Sequence, residues 1–409
     1  MRIDVWLRRA IAALGVGLVL YALAARDLYA PYIDRFREPA ARPCGTDIEI
    51  LTTLPLALTD LRVVEPLGQV DPPNAPLPGD HLTLVPIAAN PLRGSGRAVV
   101  PVLAPADGTL TALTIDESGP DPRYTVHFAP CKEVRVEIGG LLSLESTLFE
   151  DVVDNRTAEA FGRLGVRRLD LSITAGDPLG RSDTLTLSLT DTREPPLPFA
   201  NPARYDPATL LGDLRPQTLK AKTAERLLPL ALYAQCPIDY FKGPLQNILT
   251  SRLGAATSGI KAQREPACNS PQQDRAGTPQ GNWFSDPAHL VFLDTDGALA
   301  LVQDAVLPDI YRISIGRSMS QLAPGNYVFN PVRKFGFINR PFGDIEDEKI
   351  HCFENISNAR TGAMEPGVFM IALNRQEKTL IADYRPGIPY CLSVPLPWSM
   401  TERAVRFWR

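Results

Sequence analysis

The chain has 409 residues, 44% of them hydrophobic, 22% charged and 7% aromatic. Those are ordinary globular proportions, so wholesale disorder is excluded and there is room for two or three domains of roughly 100–200 residues. A net charge of -4 with a pI near 5.7 offers no electrostatic grip on phosphate backbones, which argues against a nucleic-acid partner.

In chain order, the first feature is the N-terminus. Arg8 and Arg9 precede an uncharged run over residues 10–25, AIAALGVGLVLYALAA, in which Ala22-Leu23-Ala24 forms a small-residue cleavage pattern. Positive charge before an apolar run keeps the arginines on the cytoplasmic side and sends the rest outward. The run is short of the roughly 20 residues that cross a bilayer, but Val5, Trp6 and Leu7 lengthen it. Two outcomes stay open for residues 1–28: a cleaved signal peptide, or a retained anchor crossing the membrane through residues 5–25. Residues 29–43, polar and proline-punctuated, read as a linker.

The 39 prolines disfavour long helices, because proline lacks a backbone donor and interrupts both helices and central strands. The expected fold is mainly β. Short β-rich runs separated by Gly, Pro and Asp clusters occupy 48–53, 98–103, 109–115, 124–128, 134–138, 168–173 and 184–190. Alternation with period two is clearest in VRVEI at 134–138 and TLTLSLT at 184–190. They predict an antiparallel β domain over 44–206, with one helical insert at 157–164. Residues 207–264 read as a short helical hairpin: apolar residues at helical spacing over 219–234, broken by Pro229, then 244–253 stopped by Gly254. A second β domain is expected over 265–409, with strands at 290–293, 298–303, 311–315, 367–373, 379–383 and at the C-terminus. Asp294-Thr-Asp-Gly297 reads as a hairpin turn.

Cys44, Cys131, Cys236, Cys268, Cys352 and Cys391 include no Cys-x-x-Cys pair, so zinc-ribbon and thioredoxin-like chemistry falls away. An even number, wide spacing and an export signal predict disulfides. Six cysteines allow fifteen pairings. Keeping each crosslink within one segment selects 44 with 131, 236 with 268 and 352 with 391.

Three turns carry a family resemblance. Residues 102–110 (VLAPADGTL), 173–180 (ITAGDPLG) and 201–205 (NPARY) follow one another in an order and spacing similar to those of lysostaphin-type zinc endopeptidases, which cut peptidoglycan cross-bridges. The resemblance implies a compact β domain that presents zinc ligands. The ligands themselves are missing. In the family's His-x-x-x-Asp, this chain keeps His81 but has Val85; its His-x-His falls at Thr186 and Ser188; its further catalytic histidine falls at Gly139-Gly140. A zinc hydrolase needs three protein ligands and an open position for water. The chain is therefore expected to be a pseudo-endopeptidase without a cofactor or catalytic residues. His81 and His127, with Asp80, are the candidates for a rearranged metal site.

Other patterns are weaker. No Gly-x-Ser-x-Gly elbow and no phosphate loop occurs. Asp344-Ile-Glu-Asp-Glu348 lacks the calcium-loop pattern and reads as a solvated acidic loop. His351 reads as structural. Trp283, Phe329, Phe335 and Phe337 are contact candidates, set against the usual role of aromatics as core. The expectation is a non-catalytic binding or scaffold protein of the bacterial envelope, periplasmic and anchored in the inner membrane, with a protein partner or cell-wall glycan as ligand. The alternatives are an accessory subunit of a membrane complex and a zinc-dependent peptidoglycan hydrolase.

Overall fold

The computed structural model describes residues 41–409, apart from 91–94, 118, 120, 150–164, 212–228, 257, 264–267, 292–294 and 332–335. The export segment at 1–28, the helical insert at 157–164 and Phe335 lie outside the described residues, as do most of the helical run at 219–234 and part of the strand at 290–293. Among the described residues no helix is long and apolar enough to cross a membrane.

The chain is mainly β, in two antiparallel bodies. The first sheet contains β1 (Leu61–Glu65), β2 (His81–Pro86), β5 (Val100–Leu103), β6 (Gly108–Asp116), β7 (Arg123–Ala129), β8 (Val134–Leu144), β9 (Val166–Ile173), β10 (Pro178–Asp191) and β11 (Ala234–Gln235). A separate hairpin joins β3 (Ala88–Asn90) to β4 (Ser95–Arg97). The main path runs β1-β2-β10-β8-β7-β6-β9, with β5 and β11 also paired to β10. The alternating runs at 134–138 and 184–190 are the central strands. Their odd apolar members, Leu185, Leu187 and Leu189, pack with Val136, Ile138, Val126 and Phe128 in the first core.

Residues 48–53 form no strand; only Leu51 bridges, to Phe241. The segment expected as a helical linker joins the first core instead, through Ile238, Tyr240, Phe241, Leu249 and Leu253. Among the described residues its α-helix is α1, Gly243–Ser251, with Pro244 in the first turn, where a missing N–H costs nothing.

The second body contains β12 (Gly281–Phe284), β13 (Ala298–Gln303), β14 (Tyr311–Ile315), β15 (Gly325–Phe329), β16 (Ile350–Phe353), β17 (Ser357–Asn358), β18 (Gly367–Asn374), β19 (Thr379–Pro386) and β20 (Val405–Trp408). β16 and β17 are one strand interrupted at 354–356, its first part paired to β18 and its second to β15. That strand joins the two ends of the path β18-β19-β20-β12-β13-β14-β15, where β20 meets β12 at Trp408 and Phe284. The nine assigned strands are thus eight in a closed barrel, each paired with its neighbours in sequence. Closure removes the exposed edges that would otherwise template aggregation.

The barrel interior is filled. Trp283, Tyr311, Phe329, Phe342, Phe353, Phe369 and Phe407 are buried there, with Phe329 and Phe353 rings 5.0 Å apart across the closing strand. Trp283 and Phe329 are therefore core rather than contact residues, whereas Phe337 remains partly exposed.

Two outer patches of the barrel are covered. Ala298, Ala300 and Val302 pack under Val70 and Leu77 of the first body. Val368 and Met370 pack under Val394 of the loop 387–400, which the Cys352–Cys391 disulfide fastens to β16. The other disulfides join Cys44 to Cys131 and Cys236 to Cys268, and no cysteine is free. Such full pairing is the pattern of an oxidising, extracytoplasmic compartment.

The turn at 201–205 docks the bodies together. Arg204 is buried and donates to the carbonyls of Asp286, His289 and Pro287 at 3.2, 2.9 and 3.0 Å, with its guanidinium 4.6 Å over the Phe284 ring. Asn282 donates to the Tyr205 hydroxyl at 3.0 Å, and Asp274 accepts from the backbone N–H groups of Ala200 and Asn282, both at 2.8 Å. Replacing Arg204 by Met keeps the stem and removes the donors, leaving three carbonyls without their cation. The expected cost is about 2–3 kcal/mol, read as a lower urea midpoint.

Candidate functional site

The first sheet has an apolar face and a polar one, set by strand parity. Residues directly opposite in an antiparallel pair point to the same side. The register pairs His81 with Ser188, Ser188 with Glu137 and Glu137 with His127, which makes one row across β2, β10, β8 and β7. The neighbouring row pairs Thr83 with Thr186, Thr186 with Gly139 and Thr125 with Thr114. Gly139 keeps this row flat: a Cβ there would lie 2.5 Å from Thr186 Oγ1 and 3.0 Å from Thr125 Oγ1. Most of these side chains are half-buried, and His127 is buried.

His127 is held at both nitrogens. Its Nδ1 lies 3.1 Å from Glu137 Oε1 and its Nε2 lies 3.2 Å from Thr114 Oγ1, while Thr111 Oγ1 donates to the His127 carbonyl at 3.2 Å. A carboxylate that orients an imidazole beside a hydroxyl is the arrangement in which an imidazole can take the hydroxyl's proton. An acyl-transfer site also needs free N–H donors for the oxyanion. β6, which carries Thr114, is paired on both edges, to β7 and β9, so its own backbone donors are committed to ladders.

Zinc does not fit this face. His81 and His127 are three strand spacings apart, about 14 Å at ~4.8 Å per strand, with Ser188 and Glu137 between them. Donors to one zinc ion each sit about 2 Å from the metal. His81 turns instead toward Asp80, 3.7 Å from Nδ1 to Oδ1. Val85 is fully buried opposite Val63. Among the described residues no three His, Cys, Asp or Glu side chains gather closely enough to hold a metal ion.

Gly140 sits where the backbone leaves no room for a side chain. Its φ is +84°, and a Cβ would stand 2.3 Å from the Thr184 carbonyl oxygen. The residue forms a bulge where the β8–β10 register slips between Ser182 and Thr186. Ser182 Oγ donates to the Gly140 carbonyl at 2.8 Å and Arg123 Nη1 at 3.1 Å, and Arg123 pairs with Asp183 at 2.6 Å.

The other two histidines are far from this face. His289 stacks on Phe284 at the junction of the bodies, centroids 5.2 Å apart. His351 lies inside the barrel wall, fully buried, with Nε2 2.9 Å from Asp347 Oδ1 and Nδ1 without a partner. Asp347 belongs to the acidic run at 344–348, which therefore does structural work. Burial holds the His351 pKa below its ordinary value, an effect that Asp347 partly offsets.

Two of the turns singled out in the sequence meet in space. Asp107 accepts from Ala175 N at 2.8 Å, and Ala104 and Gly176 exchange backbone bonds with the facing turn at 2.8 Å. No protein family, no curated protein and no solved structure matches this chain. The likeness to the endopeptidases rests on the quoted turns.

Substitution of Gly140 by Ala combines a left-handed backbone with a clash, whereas Gly176 has φ +92° and open space around it. Gly176→Ala is expected to cost about 1–2 kcal/mol, and Gly140→Ala at least about twice that, measured by urea unfolding. Acid should also weaken the barrel. The folded state holds His351 neutral while the unfolded chain protonates near 6.5, so stability is full above that pH and falls as pH drops toward the folded pKa. His351→Asn should flatten that fall in a pH series of melting curves.

Proposed function

We propose that this chain is a non-catalytic binding protein of the bacterial envelope, anchored in the inner membrane through residues 5–25, and that the polar face of its first sheet recognises the cell-wall polymer. One observation carries the reading: the face that would bear zinc ligands in the resembled enzymes instead presents Thr83, Thr186, Thr125 and Thr114 beside Ser188, Glu137 and a doubly held His127. Hydroxyls on a rigid sheet give oriented donors and acceptors without the desolvation cost of a full charge. An extended glycan or peptide carries matching groups. Three disulfides support an oxidising location.

The test is cosedimentation of the purified chain with insoluble peptidoglycan, alongside metal analysis and assay of soluble fragments. Binding without fragment release is expected, and Ser188→Arg should weaken binding by tenfold or more, roughly the loss of one or two good hydrogen bonds. Failure to cosediment, release of fragments, or stoichiometric zinc lost in His81→Ala would each overturn the reading.

A further inference from the structure

The loop at 387–400 reads GIPYCLSVPLPWSM and contains no charged residue. It is fixed at several points. Cys391 is buried and bonded to Cys352, Val394 is buried, and Ile388, Trp398 and Met400 pack partly onto the same patch. Glu354 Oε2 accepts from Cys391 N at 2.6 Å, and a tight turn over Cys391–Ser393 closes with Val394 N on the Cys391 carbonyl at 3.1 Å.

Between those anchors two leucines stand almost wholly in solvent, Leu392 at 85% and Leu396 at 82%, with Tyr390 at 54%. No other large apolar side chain among the described residues exceeds 56%. A loop fastened by a disulfide and a buried valine does not need to hold leucines outward in order to fold. Their place is explained by something that receives them.

A convex, uncharged prong needs either a matching concave partner or a medium that deforms around it. Three features favour the medium. Pro389, Pro395 and Pro397 lack N–H groups, which lowers the number of backbone donors that lose water on entering an apolar phase. Tyr390 stands half-exposed beside Leu392, and an amphipathic ring of that kind sits at the boundary between headgroups and acyl chains. The sequence of residues 5–25 reads as a membrane anchor, and the 15 residues at 26–40 reach at most about 50 Å when extended, which keeps the folded part beside a bilayer. Tethering raises the effective concentration of that surface, so a weak insertion suffices.

We infer that the loop 387–400 inserts Leu392 and Leu396 into the surface of a phospholipid bilayer, giving the barrel a second membrane contact. This rests on the anchor reading above, and the experiment separates the two. The full chain is reconstituted with vesicles of phosphatidylethanolamine and phosphatidylglycerol, with benzoylphenylalanine at position 392 or, as control, at position 364, where Met364 is also exposed. Flotation with the vesicles reads the anchor. Irradiation followed by mass analysis of the peptide that contains position 392 reads the loop, and intact mass confirms the disulfide.

Phospholipid adducts at 392 about tenfold above those at 364 are expected, since shallow insertion of apolar side chains is local. A chain that floats without lipid adducts at 392 overturns the inference and leaves the anchor standing. Adducts to protein instead of lipid at 392 overturn it in favour of a docked partner. A chain that neither floats nor crosslinks to lipid removes both readings, and lipid adducts without flotation leave the loop contact standing alone.

Discussion

The strand β10 sets the conditions for everything around it. Over fourteen residues it pairs with β8 along one edge and with β5, β2 and β11 along the other. A strand paired on both edges cannot slip, because a one-residue shift would send Leu185, Leu187 and Leu189 to the polar face. At its end Asp191 is fully buried. Burial alone would raise its pKa, but hydrogen bonds from Arg193 and from Tyr240, at 2.7 and 2.9 Å, hold it below the ordinary range. Arg193 also donates to the carbonyls of Gly45 and Asp47, both at 3.0 Å. One buried carboxylate thus ties the central strand to the start of the domain and to the segment at 237–240.

Parity on this strand decided how much of the candidate site could be read in advance. TLTLSLT announces one apolar and one hydroxyl-bearing face, and the strand runs as its alternation implies. That the threonines and serine share a face with Glu137 and His127 depends on register, which a sequence does not display. His127 looked like a lone strand histidine because its partners, Thr114 and Glu137, lie 13 and 10 positions away on either side. The same limit explains the failed pairing of His81 with His127. Composition offers two histidines, but three strand widths separate them.

Fold-level legibility followed the same division. The strands Ala298–Gln303, a continuous apolar run, and Tyr311–Ile315, an alternating one, have the bounds that their sequence suggests. Short or nearly continuous apolar strands such as Ile350–Phe353 and Gly281–Phe284 carry no alternation to find them by. Both are barrel staves buried on both faces, since Cys352 faces the disulfide patch while Phe353 faces the interior. Barrel closure itself depends on the interruption at 354–356, a feature of three residues. Within 207–264, the described core contributions come from the turn at 237–241 and from Leu249 and Leu253 at and just past the end of α1, too few positions to show a periodic face.

The junction between the bodies joins these threads. The turn at 201–205 grips the barrel, through Arg204 in a ring of carbonyls and Tyr205 against Asn282. On the barrel side, Arg409, the last residue, donates to the carbonyl of Gln280 at 2.6 Å and lies 4.0 Å over Trp283. Gly281, with φ +125°, lets Asp274 and Arg409 close over it, because any Cβ there would strike both. Buried arginines fixed by carbonyls tolerate little sliding, since each displaced donor leaves an unsatisfied group at about 1–3 kcal/mol. The polar sheet face and the apolar prong are therefore carried on one frame whose two halves are keyed together. Recognition by one and surface contact by the other would act at a fixed separation.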